Sequence, residues 1–208
     1  MIRFRSAFLS PLALGATLLS AAGPANPTPQ TGTLNDLQAA YNGESNARAT
    51  YLAYATKAQK EGYAKAAALF RAAAKAEEIH AANHAQVIKT LGAEPKADIK
   101  APEVKSTREN LQAAIKGETY ERDVMYPGFL TQARKEGKVD AIRTFNYAKT
   151  AEAEHARLYQ EALNNLDGWK TQNASFYVCP VCGYTSTTRP QEKCPSSFTA
   201  SARFLTIG

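Results

Sequence analysis

Between Thr33 and Asp167 apolar positions, most of them alanine, recur every three or four residues among lysines, arginines and glutamates, and strand-favouring residues are few. That period predicts helices, and four can be placed. The first begins after Thr33, with Asp36 three residues on as its capping partner, and ends at Gly62; the second runs from about Tyr63 to Leu91 and stops at Gly92. Beyond a connection holding Pro95 and Pro102, Ser106 and Glu109 form an S-x-x-E capping box that opens a third helix reaching Gly137. A fourth runs from about Lys138 to Leu166, before Gly168. The turns at Gly62 and Gly137 are short, so the helices flanking each are antiparallel neighbours, whereas the middle connection is long enough to cross the end of a bundle. The pattern predicts an all-α bundle over residues 33–168, with a small β-rich knuckle at 174–208.

The two helical pairs repeat one another. Lys60-Glu61-Gly62 recurs as Lys135-Glu136-Gly137, and Glu77-x-x-His80 recurs as Glu152-x-x-His155, at the same offset. Gly43-Glu44 recurs as Gly117-Glu118 at an offset one residue shorter. The third helix therefore carries one extra residue, and Pro127 lies in the interval, which predicts a π-bulge or kink between Glu118 and Lys135.

Composition changes the picture at the amino end. Arg3 and Arg5 precede an apolar run from Ala7 to Ala22, with small residues Ser20 and Ala22 at its end and Pro-rich sequence after it. This reads as an export signal over 1–22 followed by a linker over 23–32, too short and too interrupted by Pro11 for a comfortable membrane span. The mature protein is then expected in the periplasm or another extracytoplasmic compartment, with no membrane association after cleavage. Removing both arginines lowers the formal charge from +6 to about +4. The bases are spread among acids with no basic block, so nucleic acid is not an expected partner. Three cysteines is an odd count, so at least one is free, metal-bound or paired with another molecule.

The repeat carries chemistry. A ferritin-like bundle with one crossover that binds two iron or manganese ions needs a glutamate from each of two helices and a Glu-x-x-His from each of the others. Glu44, Glu77 and His80, Glu118, and Glu152 and His155 supply that set in order along the four helices. Three-residue spacing puts each Glu and His on one helical face. Hard carboxylate oxygens with one imidazole per ion suit iron or manganese. Taken alone, Glu121 reads as a surface charge and His84 as an ordinary polar neighbour. Tyr51 and Tyr126 are candidates to hydrogen-bond metal-bound carboxylates.

GESNARATYLAYA, AEEIHA, GETYERDVMYPGF, AEAEHA and VCPVCGY, in that order, resemble the rubrerythrin family. The resemblance covers about residues 34–205. It implies a ferritin-like di-iron bundle followed by a rubredoxin-like iron domain. It implies two Fe ions held by Glu44, Glu77, His80, Glu118, Glu121, Glu152 and His155, with one iron shifting between Glu121 and His80 as oxidation state changes. Tyr51 and Tyr126 match tyrosines that hydrogen-bond ligand carboxylates. The implied activity is reduction of hydrogen peroxide to water by a homodimer, with the rubredoxin-like iron as electron relay and an unknown upstream donor. A ferritin-like ferroxidase or iron-binding protein is the alternative.

One position departs from the family. Cys179, Cys182 and Cys194 match three ligands of the rubredoxin-like site, and Ser197 stands where the fourth is expected. Several outcomes are open: serine or water completing a site for Fe at a changed potential, Zn held structurally, an oxidised cysteine pair, or a knuckle that merely packs around Phe176, Tyr177, Tyr184 and Phe198.

Overall fold

A computed structural model of the chain describes Met1 and residues 32–208. The expected export signal and nearly all of the linker lie outside the described residues. No described helix is long and apolar enough to cross a membrane. The helices are α1 (Gly32–Lys60), α2 (Ala64–Thr90), α3 (Thr107–Tyr120), α4 (Tyr126–Lys135) and α5 (Val139–Asn164). A π-helical segment, Glu121–Met125, joins α3 to α4 into one continuous rod, so the bundle has four members. The π segment falls in the interval where the repeat offset demands an extra residue, and Pro127, which cannot donate to the ladder, lies two residues beyond its end.

The capping box at Ser106 forms: its side chain accepts from the Glu109 amide while the Glu109 carboxylate accepts from the Ser106 amide at 3.2 Å. The expected cap at Thr33 does not. Thr33 is already helical and buried, and its amide donates to Glu136 Oε2 at 3.3 Å. A carboxylate from the distant α4–α5 turn thus serves α1, which local spacing could not reveal.

The helices pair in sequence, α1 with α2 and the α3–α4 rod with α5, and α2 also packs on α5. Ala66, Ala67, Ala72, Ala73 and Ala76 of α2 are fully buried. Methyl-sized side chains let neighbouring helices approach closely. The connection from α2 to α3 crosses over α1, where Gln38, Asn42 and Asn46, one turn apart, hydrogen-bond its extended backbone. Gln38 Nε2 donates to Glu94 O at 2.7 Å, the Asp98 amide donates to Asn42 Oδ1 at 2.8 Å, and the Lys100 amide donates to Asn46 Oδ1 at 2.8 Å.

Two apolar clusters fill the bundle, one around Tyr51, Phe70 and Tyr159 and the other around Leu37, Tyr126 and Phe145. Between them, along α1, α2, α3 and α5, fall the glutamates and histidines of the repeat.

After a short 3-10 turn (Leu166–Trp169) comes an antiparallel sheet of β1 (Phe176–Val178), β2 (Thr185–Ser186) and β3 (Leu205–Ile207) in the order β2-β1-β3. Phe176 and Val178 join the first apolar cluster, and Arg71 Nε of α2 donates to Gly208 O at 2.9 Å. The sheet is therefore docked on the bundle. Of the four aromatics expected to line the knuckle, Tyr177 and Tyr184 pack on its cysteines. Phe176 faces the bundle instead, and Phe198 is 68% exposed.

Candidate metal centre

Glu44, Glu77, His80, Glu118, Glu152 and His155 are all buried at the level where the two apolar clusters meet. Their donor atoms form two overlapping groups. One joins Glu44, Glu77, His80 and Glu152, the other Glu77, Glu118, Glu152 and His155, with all ligand atoms of a group within 4.8 Å of one another. Glu77 and Glu152 belong to both. Each turns one oxygen toward each histidine: Glu77 Oε2 lies 2.9 Å from His80 Nδ1 and Oε1 lies 3.4 Å from His155 Nδ1. Glu152 Oε1 lies 3.1 Å from His80 Nδ1 and Oε2 lies 2.9 Å from His155 Nδ1.

The donor set fits a pair of cations. Glu44 Oε2, Glu77 Oε1, Glu118 Oε2, both Glu152 oxygens and His155 Nδ1 are buried and face one another without an aligned hydrogen bond. Four carboxylates buried with only two imidazoles at their centre leave negative charge uncompensated, at a cost of several kcal/mol. Burial, with Glu152 and Glu44 beside it, raises the Glu77 carboxyl to about 7. Burial opposes charge on His80 and His155, yet the surrounding carboxylates, Glu152 and Glu118 foremost, hold both well above the usual histidine value. The metal-free cluster thus retains protons that cations displace.

Both imidazoles present Nδ1 inward because their outer nitrogens are engaged. His80 Nε2 donates to the carbonyl of Cys182 at 3.1 Å, and His155 Nε2 donates to Thr185 Oγ1 at 3.0 Å, whose hydroxyl donates on to Gly183 O at 3.0 Å. An N–H partner of this kind fixes the tautomer and ring angle of a metal-binding histidine. Here the knuckle supplies both partners. Asn83 Nδ2 adds a bond to Val181 O at 2.9 Å.

The tyrosines hold carboxylates. Tyr51 donates to Glu118 Oε1 at 2.7 Å, and Tyr126 donates to Glu44 Oε1. His84, read from sequence as an ordinary polar neighbour, is fully buried and extends the second contact. Since Tyr126 donates to Glu44, its oxygen accepts from His84 Nε2 at 3.1 Å, and His84 Nδ1 accepts from Thr144 Oγ1 at 3.0 Å. Burial keeps His84 below the usual histidine range, in the neutral form this chain requires. His84→Leu should leave Tyr126 and Thr144 each short of a partner, at a cost of about 1–3 kcal/mol in urea unfolding; no measurable loss would refute the chain.

Glu121 does not join either four-donor group. It sits on the first residue of the π segment, partly exposed by surface yet with its carboxyl pushed well above the usual range by burial and by Glu44, Glu118, Glu152 and Glu77. It is the fifth carboxylate at the cluster.

In the knuckle, Cys179, Cys182 and Cys194 are buried free thiols forming a third group able to hold a metal ion. Hydrogen bonding from Cys182, with Ser197 also contributing, lowers the Cys179 thiol to about 4.

The rubrerythrin family model matches residues 35–163. The chain belongs to the rubrerythrin family. Among relatives, nigerythrin of Nitratidesulfovibrio vulgaris is 40% identical over 167 residues, covering 80% of this chain and 82% of that protein. Rubrerythrin-2 of Clostridium acetobutylicum is 39% identical over 166 residues, covering 78% and 90%. Nigerythrin in its fully reduced, all-ferrous state superposes with a TM-score of 0.79 at 36% identity, covering 88% of this chain and 90% of that one. A Desulfovibrio desulfuricans bacterioferritin, at 20% identity and TM-score 0.63, shares the fold. As a rubrerythrin the chain carries a di-iron centre and serves as a di-iron oxidative-stress protein of oxidoreductase type, and the two overlapping groups are the donor set that fits the irons.

Proposed function

We propose that this rubrerythrin is a non-haem peroxidase that reduces hydrogen peroxide to water, working as a homodimer in an extracytoplasmic compartment and fed by a separate electron donor. When bound, two ferrous ions supply the two electrons that splitting the O–O bond consumes, and two protons complete two waters. The chain's own residues set the conditions. Glu77 and Glu152, which belong to both donor groups, would hold both ions, Tyr51 and Tyr126 fix the outer carboxylates, and the docked knuckle keeps bulk water from the histidine side.

Glu121 carries the reading. Both four-donor groups are complete without it, and storing or oxidising iron alone requires no further carboxylate. A spare ligand on an irregular turn, close enough to feel Glu44, Glu118, Glu152 and Glu77, suits a centre whose coordination changes during a redox cycle. The apolar run after Arg3 and Arg5 supports export.

The test is to load the chain with iron, reduce it anaerobically and mix it with peroxide or oxygen. Peroxide should reoxidise it at least about tenfold faster than oxygen, and Glu121→Ala should erase most of that margin, the scale of a lost group at a metal. Equal rates with both oxidants, or a Glu121→Ala chain with the margin intact, would favour iron handling over peroxidase turnover.

A further inference from the structure

The second half of the knuckle repeats the backbone of the first although it ends in serine. In the first half the Gly183 amide donates to Cys179 O at 3.0 Å, and Gly183 has φ +73°. In the second the Phe198 amide donates to Cys194 O at 3.0 Å, and Phe198 has φ +59°. A bulky residue there is strained, and the exposed Phe198 ring recovers nothing by burial. The shared turn sets Ser197 where its twin sets Cys182.

The side chains complete a cage. Cys182 Sγ lies 3.5 Å from Cys194 Sγ, and Cys179 Sγ lies 3.3 Å from Ser197 Oγ. These are opposite edges of a four-atom figure. A tetrahedral ion with metal–sulfur bonds of about 2.3 Å and a metal–oxygen bond of about 2.0 Å spans edges of about 3.8 Å between sulfurs and about 3.5 Å between sulfur and oxygen. Both observed edges are within a few tenths of an ångström of those values. The Ser197 amide points at Cys194 Sγ at 3.5 Å. On its far side, Ser197 Oγ meets the hydroxyl of buried Thr199 at 2.8 Å, which can orient a ligating oxygen.

We infer that Ser197 Oγ is the fourth ligand of a tetrahedral metal ion held by Cys179, Cys182 and Cys194, so that the knuckle is a three-sulfur, one-oxygen site and not a broken four-sulfur one. A hard oxygen favours the more highly charged ion relative to a fourth thiolate. With iron bound, Ser197 therefore lowers the reduction potential.

Cobalt(II) added anaerobically to the metal-free, thiol-reduced full chain isolates this site, because the bundle ligands include no sulfur and give no sulfur-to-cobalt band. The wild type should show that band with the visible absorption of tetrahedral cobalt. Ser197→Cys should shift the band to longer wavelength. Ser197→Ala should weaken cobalt binding at the knuckle by at least about tenfold, as loss of a metal-site group does, while ions in the bundle stay unchanged. In the iron-loaded chain Ser197→Cys should raise the potential. The inference is overturned if the wild type gives no sulfur-to-cobalt band, if Ser197→Ala matches it in spectrum and affinity, or if Ser197→Cys leaves the potential unmoved.

Discussion

Replacing Glu77 with alanine should empty both metal positions together, whereas Glu44→Ala should leave one largely intact. Glu77 gives one oxygen to each group, 2.9 Å from His80 and 3.4 Å from His155, while Glu44 belongs to one group only. Loss of a shared carboxylate also removes the negative charge that offsets repulsion between two cations roughly 3.5–4 Å apart. Iron retained per chain after anaerobic loading and dialysis measures this directly. If Glu77→Ala keeps both irons, Glu77 does not bridge.

Without metal the same site is a liability, so the sign reverses. Glu77 has its folded pKa raised from 4.5 to about 7. Its protonated form favours folding fully below pH 4.5, and that contribution is lost as pH rises through about 7, on the order of 3 kcal/mol in all. Metal-free Glu77→Gln should therefore resist unfolding better than the metal-free parent at pH 8. Near pH 4 that advantage should vanish. A parent with no such fall in denaturant midpoint between the two pH values would contradict the buried cluster.

A single methyl group at Gly183 should damage a metal site on another part of the fold. A Cβ there would strike His80, with Cδ2 at 2.9 Å and Nε2 closer still, and the backbone sits at φ +73°. Strain of that kind costs about 1–3 kcal/mol, and the clash adds to it. Relief requires lifting the knuckle from α2, which breaks the bond from His80 Nε2 to Cys182 O. Loss of such a partner lowers metal affinity about 10–100-fold. Gly92→Ala is the control. Its φ is +80° but no atom lies within 4 Å of the added carbon, so it should incur the backbone strain and leave iron binding alone. Equal effects of the two variants on iron affinity would show that the knuckle does not support the site.

The donor cluster that fits two cations was legible because its signal is local. An E-x-x-H pair lies on one face of any helix, so two copies and two further glutamates on successive helices imply a common centre before any helix is packed. The π segment was legible for a related reason. One residue too many in a repeat must be absorbed somewhere in the ladder, and Glu121–Met125 absorbs it. Caps were mixed. Ser106 and Glu109 are three residues apart and satisfy one another, but the partner of the Thr33 amide is Glu136, and no spacing rule joins positions so distant.

His84 was undervalued for the same reason as Thr33. Its role is set by Tyr126 and Thr144, on two other helices, and a lone histidine one turn beyond a ligand looks like many solvated ones. At Ser197 the substitution itself was plain. Its meaning came from Phe198 repeating the turn of Gly183 and from the 3.3 Å approach to Cys179.

Residue order alone therefore settled the class of fold and the four-helix arrangement, and it singled out the candidate donors, since these follow from helical period, loop length and i,i+3 spacing, properties of neighbours in the chain. Folding in three dimensions decided which oxygen faces which histidine, which nitrogen of each histidine is free, and that the knuckle closes over both imidazoles. Those outcomes depend on contacts such as His80 with Cys182 and His155 with Thr185, made by chain segments that share no periodic pattern and meet only when the sheet docks on α2 and α5.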